Sequence, residues 1–122
     1  MIFARRAFAI AGIYGLLVVT PLYFLEDFIG RDQPPPITHP EFFYGFIGVT
    51  LAWQVAFLVI ARDPVRYRLL MIPAVLEKAT YVIALVVLFL NARVPGVALV
   101  PGAGDFVLGL LFVTSWVKTR SA

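Results

Sequence analysis

The side chains of this sequence that could do chemistry inside an apolar layer fall mostly at one depth. Glu77 and Lys78 lie together in one long apolar run, and Tyr14 and Gln54 lie in two others. A carboxyl group in such a run is costly unless it faces protein, water or a ligand. Counted from the basic end of each run, Tyr14, Gln54 and Glu77 lie about 10 to 12 Å deep at about 1.5 Å per residue. We therefore expect polar groups from three helices to meet.

Two further polar side chains, Thr50 and Tyr81, lie one helical turn from Gln54 and Glu77, nearer the midplane. Trp53 is deep for an indole, which prefers the membrane interface. It is expected to line an apolar pocket or to find a carbonyl partner. Facing side chains at matched depth are how helical bundles hold ligands. The same groups could instead hydrogen-bond Glu77 and only permit its burial, and both interpretations stay open.

Lys78 is expected to turn away from this polar level. Side chains on a helix lean toward its N-terminus, so the amine is predicted to reach the inner interface along its apolar stem. We predict no other acid at this depth, which leaves Glu77 to hydrogen bonds. Asp105 is expected to cap the last helix or to pair with Arg93.

The elements that position these residues have the composition of membrane segments. Of the 122 residues, 61% are hydrophobic and 14% are charged, whereas a soluble domain is about half apolar and a quarter charged. The pattern predicts an all-α, integral membrane four-helix bundle that forms a single transmembrane domain over residues 1–122. Its helices are predicted at about residues 5–25, 40–61, 64–91 and 101–118, with a polar, proline-rich loop at 26–39. Either Pro101 or Asp105 is expected to begin the last helix. The first helix is preferred over a signal peptide because no small-x-small cleavage site follows it.

Charges at the predicted helix ends indicate an orientation. Seven basic residues fall on one side, namely Arg5, Arg6, Arg62, Arg66, Arg68, Lys118 and Arg120. Arg31 and Arg93 fall on the other side, which also carries the acidic loop. By the positive-inside rule both termini are predicted to be cytoplasmic. We expect a multi-pass protein of a bacterial inner membrane.

Several kinds of site are excluded by residue type. The sequence has no cysteine, which excludes thiolate catalysis and iron–sulfur ligation. His39 is the single histidine, so a histidine-rich metal cluster is excluded as well. It lies with Glu26, Asp27 and Glu41 near the acidic loop, where solvated charges are a simpler interpretation than a metal site. No basic run with interleaved polar residues indicates nucleic acid.

Two of the predicted helices carry faces of small residues. These are Ala4, Ala7, Ala11 and Gly15 in the first helix, and Gly45, Gly48, Ala52 and Ala56 in the second. Small residues allow helices to approach closely. We expect the two faces to pack on each other within the chain, the alternative being a homodimer or docking on a larger membrane complex.

Residues of the first three helices resemble a known family. They are Gly12, Tyr14, Thr20, Pro21 and Asp27, then Pro40, Phe42, Phe43, Phe46, Gln54 and Phe57, and finally Arg68, Pro73 and Ala74. In this order they are similar to the EXPERA family, which includes the sigma-2 receptor and the emopamil-binding sterol isomerase. The DoxX-like proteins, linked to quinone chemistry, share the four-helix architecture.

The resemblance implies a cavity for sterol-like or cationic amphiphilic ligands, lined in that family by one acid from each of the first two helices. The first acid corresponds to Asp27. The second falls on Thr50, which is not an acid, while the nearby glutamine matches Gln54. Glu77, on a different helix, is conjectured to supply the missing carboxyl. The isomerase's catalytic His and Glu pattern is not visible in helix 2, which argues against that activity.

The sequence thus predicts a non-enzymatic membrane protein whose intramembrane cavity takes an apolar or amphiphilic ligand, such as a lipid, a sterol-like molecule, a terpenoid or a quinone. The candidate ligand-binding residues are Tyr14, Asp27, Thr50, Trp53, Gln54, Glu77 and Tyr81. No catalytic residue, metal ligand or cofactor is predicted. The alternatives are an accessory subunit of a larger membrane complex and a lipid isomerase with Glu77 as acid or base. The expected partners are membrane lipid, a hydrophobic small molecule, and a second copy or a larger complex, with no nucleic acid.

Overall fold

The computed structural model describes residues 2–120, and every regular element in that range is helical. The α-helices are α1 (Ile2–Val19), α2 (Glu26–Asp32), α3 (Pro40–Arg62), α4 (Met71–Leu90) and α5 (Leu99–Lys118). Short 3₁₀ segments extend three of them, at Thr20–Phe24, Arg68–Leu70 and Gly96–Ala98. With these extensions, four segments of 23 residues each are long and apolar enough to cross a membrane. The prediction of an all-α chain with four such helices is confirmed.

The four long helices form an incomplete ring. Helix α1 packs extensively on α3 and also contacts α5, and α5 packs on α4. Helices α3 and α4 follow each other in sequence but barely touch. The bundle therefore has an open seam between α3 and α4.

The basic end of the bundle is closed by a cluster of three aromatic side chains. Phe8 and Phe112 lie nearly parallel with ring centroids 4.2 Å apart, and Phe57 meets Phe112 edge-on at 4.9 Å. All three side chains are fully buried. Smaller buried residues surround them, namely Ala4, Ala11, Ile60, Ala61, Met71, Ala74 and Leu108. Close dispersion contacts of this kind hold helices together where apolar surface gains nothing by leaving lipid.

An arginine ties the start of α4 to the end of α5. The Arg68 guanidinium donates to the Thr119 hydroxyl (3.0 Å) and to the Trp116 carbonyl (2.8 Å). It also lies 3.5 Å from the centre of the Trp116 ring. These contacts satisfy a carbonyl at a helix C-terminus, where the backbone supplies no partner.

Some predicted helix boundaries differ from the structure. The predicted loop at residues 26–39 contains α2, whose first turn holds Glu26 and Asp27, where acids stabilise the positive helix end. Helix α4 begins at Met71 rather than at residue 64. The Asp63 carboxylate does accept a hydrogen bond from the Arg66 N–H (3.2 Å), but it caps a turn that the α-helix does not continue.

The start of α5 also differs, and the difference matters for the site. Helix α5 begins at Leu99, after the 3₁₀ segment Gly96–Ala98, and contains Pro101 in its first turn. A proline is tolerated there because the first N–H groups of a helix have no intrahelical partner. Asp105 therefore lies in the second turn of α5, inside the helix rather than at its cap.

The small-residue faces do not pack on each other as predicted. Ala4, Ala7, Ala11 and Gly15 of α1 are buried, but Gly45 and Ala52 of α3 are exposed. The face of α3 that is buried instead carries Ile47, Gln54, Phe57, Ile60 and Ala61. The glycines of α1 make room for this face: an added Cβ at Gly12 would lie 2.8 Å from the Gln54 backbone carbonyl oxygen, and one at Gly15 would overlap the Gln54 side-chain amide.

Candidate functional site

A cavity of about 540 Å³ lies between the four long helices, in the half of the bundle away from the aromatic core. Its lining residues are Tyr14, Gly15, Val18, Val19 and Leu22 of α1 and its extension, Phe46, Thr50 and Gln54 of α3, Glu77, Lys78, Thr80 and Tyr81 of α4, and Pro101 and Asp105 of α5. Five of the seven candidate binding residues predicted from the sequence are among them. All four long helices thus contribute to one cavity.

The other two candidates, Trp53 and Asp27, lie outside this cavity. Trp53 packs against the aromatic core, with its ring 6.3 Å from that of Phe57. Asp27 is an exposed residue of α2 and borders a separate recess together with Gly30 and Arg31. Trp53 is as deep in the sequence of α3 as Gln54, but its side chain packs on the aromatic core and not on the cavity.

The acidic loop side chains pair locally. The Tyr44 hydroxyl donates to a Glu26 carboxylate oxygen (2.9 Å), and the His39 Nδ1 lies 3.1 Å from the Glu41 carboxylate. Within residues 2–120 no group of three or more His, Asp and Glu side chains is placed to hold a metal ion.

A buried cluster of one amine and two carboxylates lies beside the cavity. The Lys78 Nζ is 3.2 Å from the Asp105 Oδ1, to which it donates a hydrogen bond, and 3.5 Å from the Glu77 Oε2. The Lys78 side chain is 6% exposed and both acids are 19% exposed. The prediction that Lys78 extends to the inner interface is therefore wrong. So is the prediction that Asp105 caps its helix or pairs with Arg93.

The physical reason for both errors is the start of α5. Because α5 already begins at Leu99, Asp105 is carried to the level of Lys78 and supplies an acid that depth counting on the other helices had not found. Gly109, one turn further, lets α4 approach closely, since a Cβ there would lie 3.4 Å from the Lys78 Cβ. For Lys78, an ion pair with the nearby Asp105 carboxylate is therefore more favourable than extending its side chain to the membrane interface.

The cluster rests on the aromatic core. The Lys78 Nζ lies 5.3 Å from the centre of the Phe57 ring, a distance at which a ring face attracts a cation. The amine therefore contacts the closed half of the bundle on one side and borders the cavity on the other. We describe Glu77, Lys78 and Asp105 as the charged floor of the cavity.

Gln54 is the most deeply buried polar side chain at this level, with 1% exposure. Its Nε2 donates to the Thr50 carbonyl one turn earlier (2.9 Å). Its Oε1 lies against the backbone of Gly15, where a Cβ would overlap the amide group. Close packing of α1 on α3 therefore depends on this glycine.

Two buried side-chain oxygens at this level lack a hydrogen bond. Among the described residues, the Gln54 Oε1 and the Glu77 Oε2 are the buried side-chain atoms without a hydrogen-bond partner. The Glu77 Oε2 has only the ion-pair contact with Lys78. Buried polar atoms are nearly always hydrogen-bonded in proteins, so both oxygens require an explanation.

The remaining walls are mostly apolar. Val18, Val19, Leu22 and Phe46 contribute aliphatic and aromatic surface. The Thr80 hydroxyl is used within its own helix, where it donates to the Leu76 carbonyl (2.8 Å). The cavity thus combines an apolar wall with a charged floor, which suits a molecule that has one apolar and one polar end.

Comparisons of the chain with protein-family models, curated proteins and solved structures found no significant match. The geometry of the cavity and the pattern of the helices are therefore the basis on which a function is assigned.

Proposed function

We propose that the chain is a multi-pass integral membrane protein of a bacterial inner membrane, with both termini in the cytoplasm. Each of the four segments of 23 residues spans about 35 Å, which exceeds the hydrocarbon core of about 30 Å. Large apolar side chains such as Leu17 and Leu90 are more than 70% exposed on the bundle surface, as expected for lipid contact. The basic residues gather at the end closed by the aromatic core, which supports the orientation.

The orientation can be tested with single cysteines, because the sequence contains none. In intact spheroplasts, a membrane-impermeant maleimide should label Asp32→Cys at the acidic loop and leave Arg66→Cys unlabelled until the membrane is opened. The opposite labelling pattern would contradict the proposed orientation.

Within this membrane protein, we propose that the cavity binds an apolar or amphiphilic ligand from the bilayer without chemical conversion. The observation that carries the proposal is a 540 Å³ space walled by apolar side chains and floored by three largely buried ionisable side chains. The volume lies in the range of small-molecule sites. The open seam between α3 and α4 provides a side entrance from the lipid layer.

Native mass spectrometry of the protein released directly from membranes tests this proposal. We expect one lipid-like species to be enriched over bulk lipid. Val18→Trp, which fills the cavity, should lose that species, whereas Leu17→Trp adds the same ring to the adjacent exposed position of α1 and should retain it. If neither parent nor control protein carries an enriched species, the cavity is not a ligand site.

A specific feature supports a second function, that of an accessory subunit. Half of the small-residue face of α3 is exposed: Gly45 has no atom within 4 Å of an added Cβ, and Ala52 is exposed, whereas Gly48 and Ala56 are partly buried. Such a face permits close approach of a helix from a second copy or a larger complex. A stoichiometric partner that copurifies in mild detergent and is lost in Ala52→Phe would support this function. A protein that runs alone would contradict it.

The relationship to the EXPERA family stays a hypothesis. If it holds, the acids beside the cavity are Glu77 and Asp105 of α4 and α5, because Asp27 borders a different recess.

A further inference from the structure

The two ends of the bundle differ in charge. The end closed by the aromatic core carries seven basic side chains and one acid, Asp63, so seven positive charges less one negative give +6. The opposite end carries two arginines and four acids, which give −2 with His39 neutral. Clusters of basic residues next to membrane-spanning helices attract the headgroups of anionic lipids. The basic end therefore has the charge that an anionic partner requires.

The basic side chains at this end are not neutralised within the chain. Among residues 2–120, every salt bridge lies elsewhere, either in the charged floor or at the acidic loop. The one acid of the basic end, Asp63, accepts its hydrogen bond from the backbone N–H of Arg66 and not from a basic side chain. The positive charge of this end is therefore available to an anion from outside the chain.

Two of the exposed cations lie over aromatic rings. The Lys118 Nζ is 4.7 Å from the centre of the Phe3 ring, and the Arg66 guanidinium carbon is 5.4 Å from the centre of the Tyr67 ring. Aromatic rings prefer the headgroup level of a membrane, and the face of a ring attracts a cation. These contacts hold cations at the depth where lipid phosphates lie.

The Phe3 ring lies where α1 and α5 each bring a cation. Lys118 reaches it from the last turn of α5. Arg6 follows Phe3 by three residues, which places both on one face of α1. Because helical side chains lean toward the N-terminus, Arg6 leans back toward this ring. We propose that Arg6 and Lys118 form a binding site for the phosphate of an anionic phospholipid at the basic end.

The charge of the headgroup decides which phospholipid suits this site. Phosphatidylcholine also has a phosphate, but it carries a choline cation that Arg6 and Lys118 repel. Phosphatidylglycerol has the same phosphate and no cation, so its headgroup keeps a net negative charge. Two exposed basic side chains therefore favour the anionic lipid, with attraction that acts over a Debye length of about 8 to 10 Å.

The inference rests on the proposed membrane insertion and not on a ligand in the cavity. The cavity lies in the half of the bundle away from the aromatic core, whereas Arg6 and Lys118 lie at the end that this core closes. A phospholipid held there is thus a second bound molecule, distinct from the proposed cavity ligand in position and in charge.

The test is native mass spectrometry of the full-length protein released from nanodiscs. The nanodiscs contain equal amounts of phosphatidylglycerol and phosphatidylcholine with the same acyl chains. We expect phosphatidylglycerol to be retained over phosphatidylcholine by about tenfold or more, since each basic side chain near a membrane surface adds about fivefold to the affinity for anionic lipid.

Two double variants that remove the same charge connect this preference to a position. Arg6→Gln combined with Lys118→Gln should reduce the preference by about fivefold or more. Arg31→Gln combined with Arg93→Gln removes two positive charges from the opposite end and should keep the parent's preference. All four side chains are exposed, so both double variants should fold, which equal melting temperatures would verify.

The outcomes separate this site from the proposals made above. Equal retention of the two phospholipids by the parent protein, or an equal loss of preference in both double variants, would overturn the site. Val18→Trp should lose the species in the cavity and keep the preference for phosphatidylglycerol, so each proposal can fail without the other. A chain recovered in the soluble fraction and not with the membrane would overturn both.

Discussion

Substituting Lys78 by methionine gives the sharpest test of the charged floor. Methionine keeps the length and much of the apolar contact of the lysine stem but removes the cation that lies between Glu77 and Asp105. We expect Lys78→Met to lower the free energy of unfolding strongly. If the lysine instead reached the headgroups, the same change would be nearly neutral, because it would remove a charge from an apolar helix.

The magnitude follows from the distances. At 3.2 Å a unit-charge pair such as Lys78 and Asp105 is worth about 5 kcal/mol at an effective dielectric constant of about 20, and the Glu77 carboxyl group lies 3.5 Å from the same amine. Part of this attraction offsets the desolvation of the lysine itself. Removing one partner of a buried pair costs about 3 to 5 kcal/mol, since it leaves an uncompensated charge, and here two carboxylates lose their shared cation.

The assay is thermal unfolding of the purified protein in mild detergent. For a chain of this length, a loss of about 3 kcal/mol corresponds to a melting temperature lower by about 10 °C. Lys118→Met is the matched control, because Lys118 lies in the last turn of α5 and is exposed, with its Nζ 4.7 Å from the Phe3 ring, and should shift the midpoint by a few degrees at most. Equal midpoints for Lys78→Met and Lys118→Met would refute the role of Lys78 as the cation of the floor.

Three further predictions concern packing. Gly15→Ala should destabilise the protein by about 1 to 3 kcal/mol in the same thermal assay, because the added Cβ overlaps the Gln54 amide. Gly45→Ala should be neutral or stabilising by up to about 1 kcal/mol, since nothing lies within 4 Å of the new Cβ and alanine favours the helix; a loss equal to that of Gly15→Ala would contradict the packing of α1 on α3. Arg68→Lys should cost about 1 to 3 kcal/mol, because lysine cannot keep both hydrogen bonds and the stacked geometry, whereas the exposed Arg66→Lys should change stability by less than about 0.5 kcal/mol.

The four long helices were predictable because their signal is long and redundant. Each is a run of 23 mostly apolar residues, and no single residue decides whether such a run is helical. The ends depend on few residues and were less predictable. Asp63 and Pro64 have the residue types of a helix start, but the chain makes a turn and a 3₁₀ segment before α4 begins at Met71. Helix α2 was missed because seven residues are too few for an apolar period to show.

The depth of the polar residues was also predictable, since it requires only the rise per residue. Tyr14, Thr50, Gln54, Glu77 and Tyr81 do line one cavity, although whether they bind a ligand stays a prediction. The direction in which each side chain faces around its helix was harder to predict, because that direction depends on how neighbouring helices pack. Trp53 lies one residue before Gln54 yet faces the aromatic core.

Lys78 shows why the direction of a side chain cannot be predicted from the sequence of its own helix alone. The intrinsic lean of a helical side chain toward the N-terminus is a weak preference, and a carboxylate at 3.2 Å outweighs it. That carboxylate belongs to Asp105, whose position depends on a helix start four residues beyond Pro95 and before Pro101. A correct placement of Lys78 therefore needed the boundary of a different helix, which the Pro- and Gly-rich sequence around it leaves ambiguous.

The position of the charged floor couples the two halves of the bundle. On one side the Lys78 amine contacts Phe57 of the closed aromatic core, and on the other Glu77 borders the cavity. If the proposed cavity ligand contacts the charged floor, it acts on the same side chains that join α3, α4 and α5. Because such a ligand binds only the folded protein, it must raise the free energy of unfolding by mass action. Because α3 and α4 have few contacts of their own, we expect the seam between them to be the part of the bundle that such a ligand stabilises most.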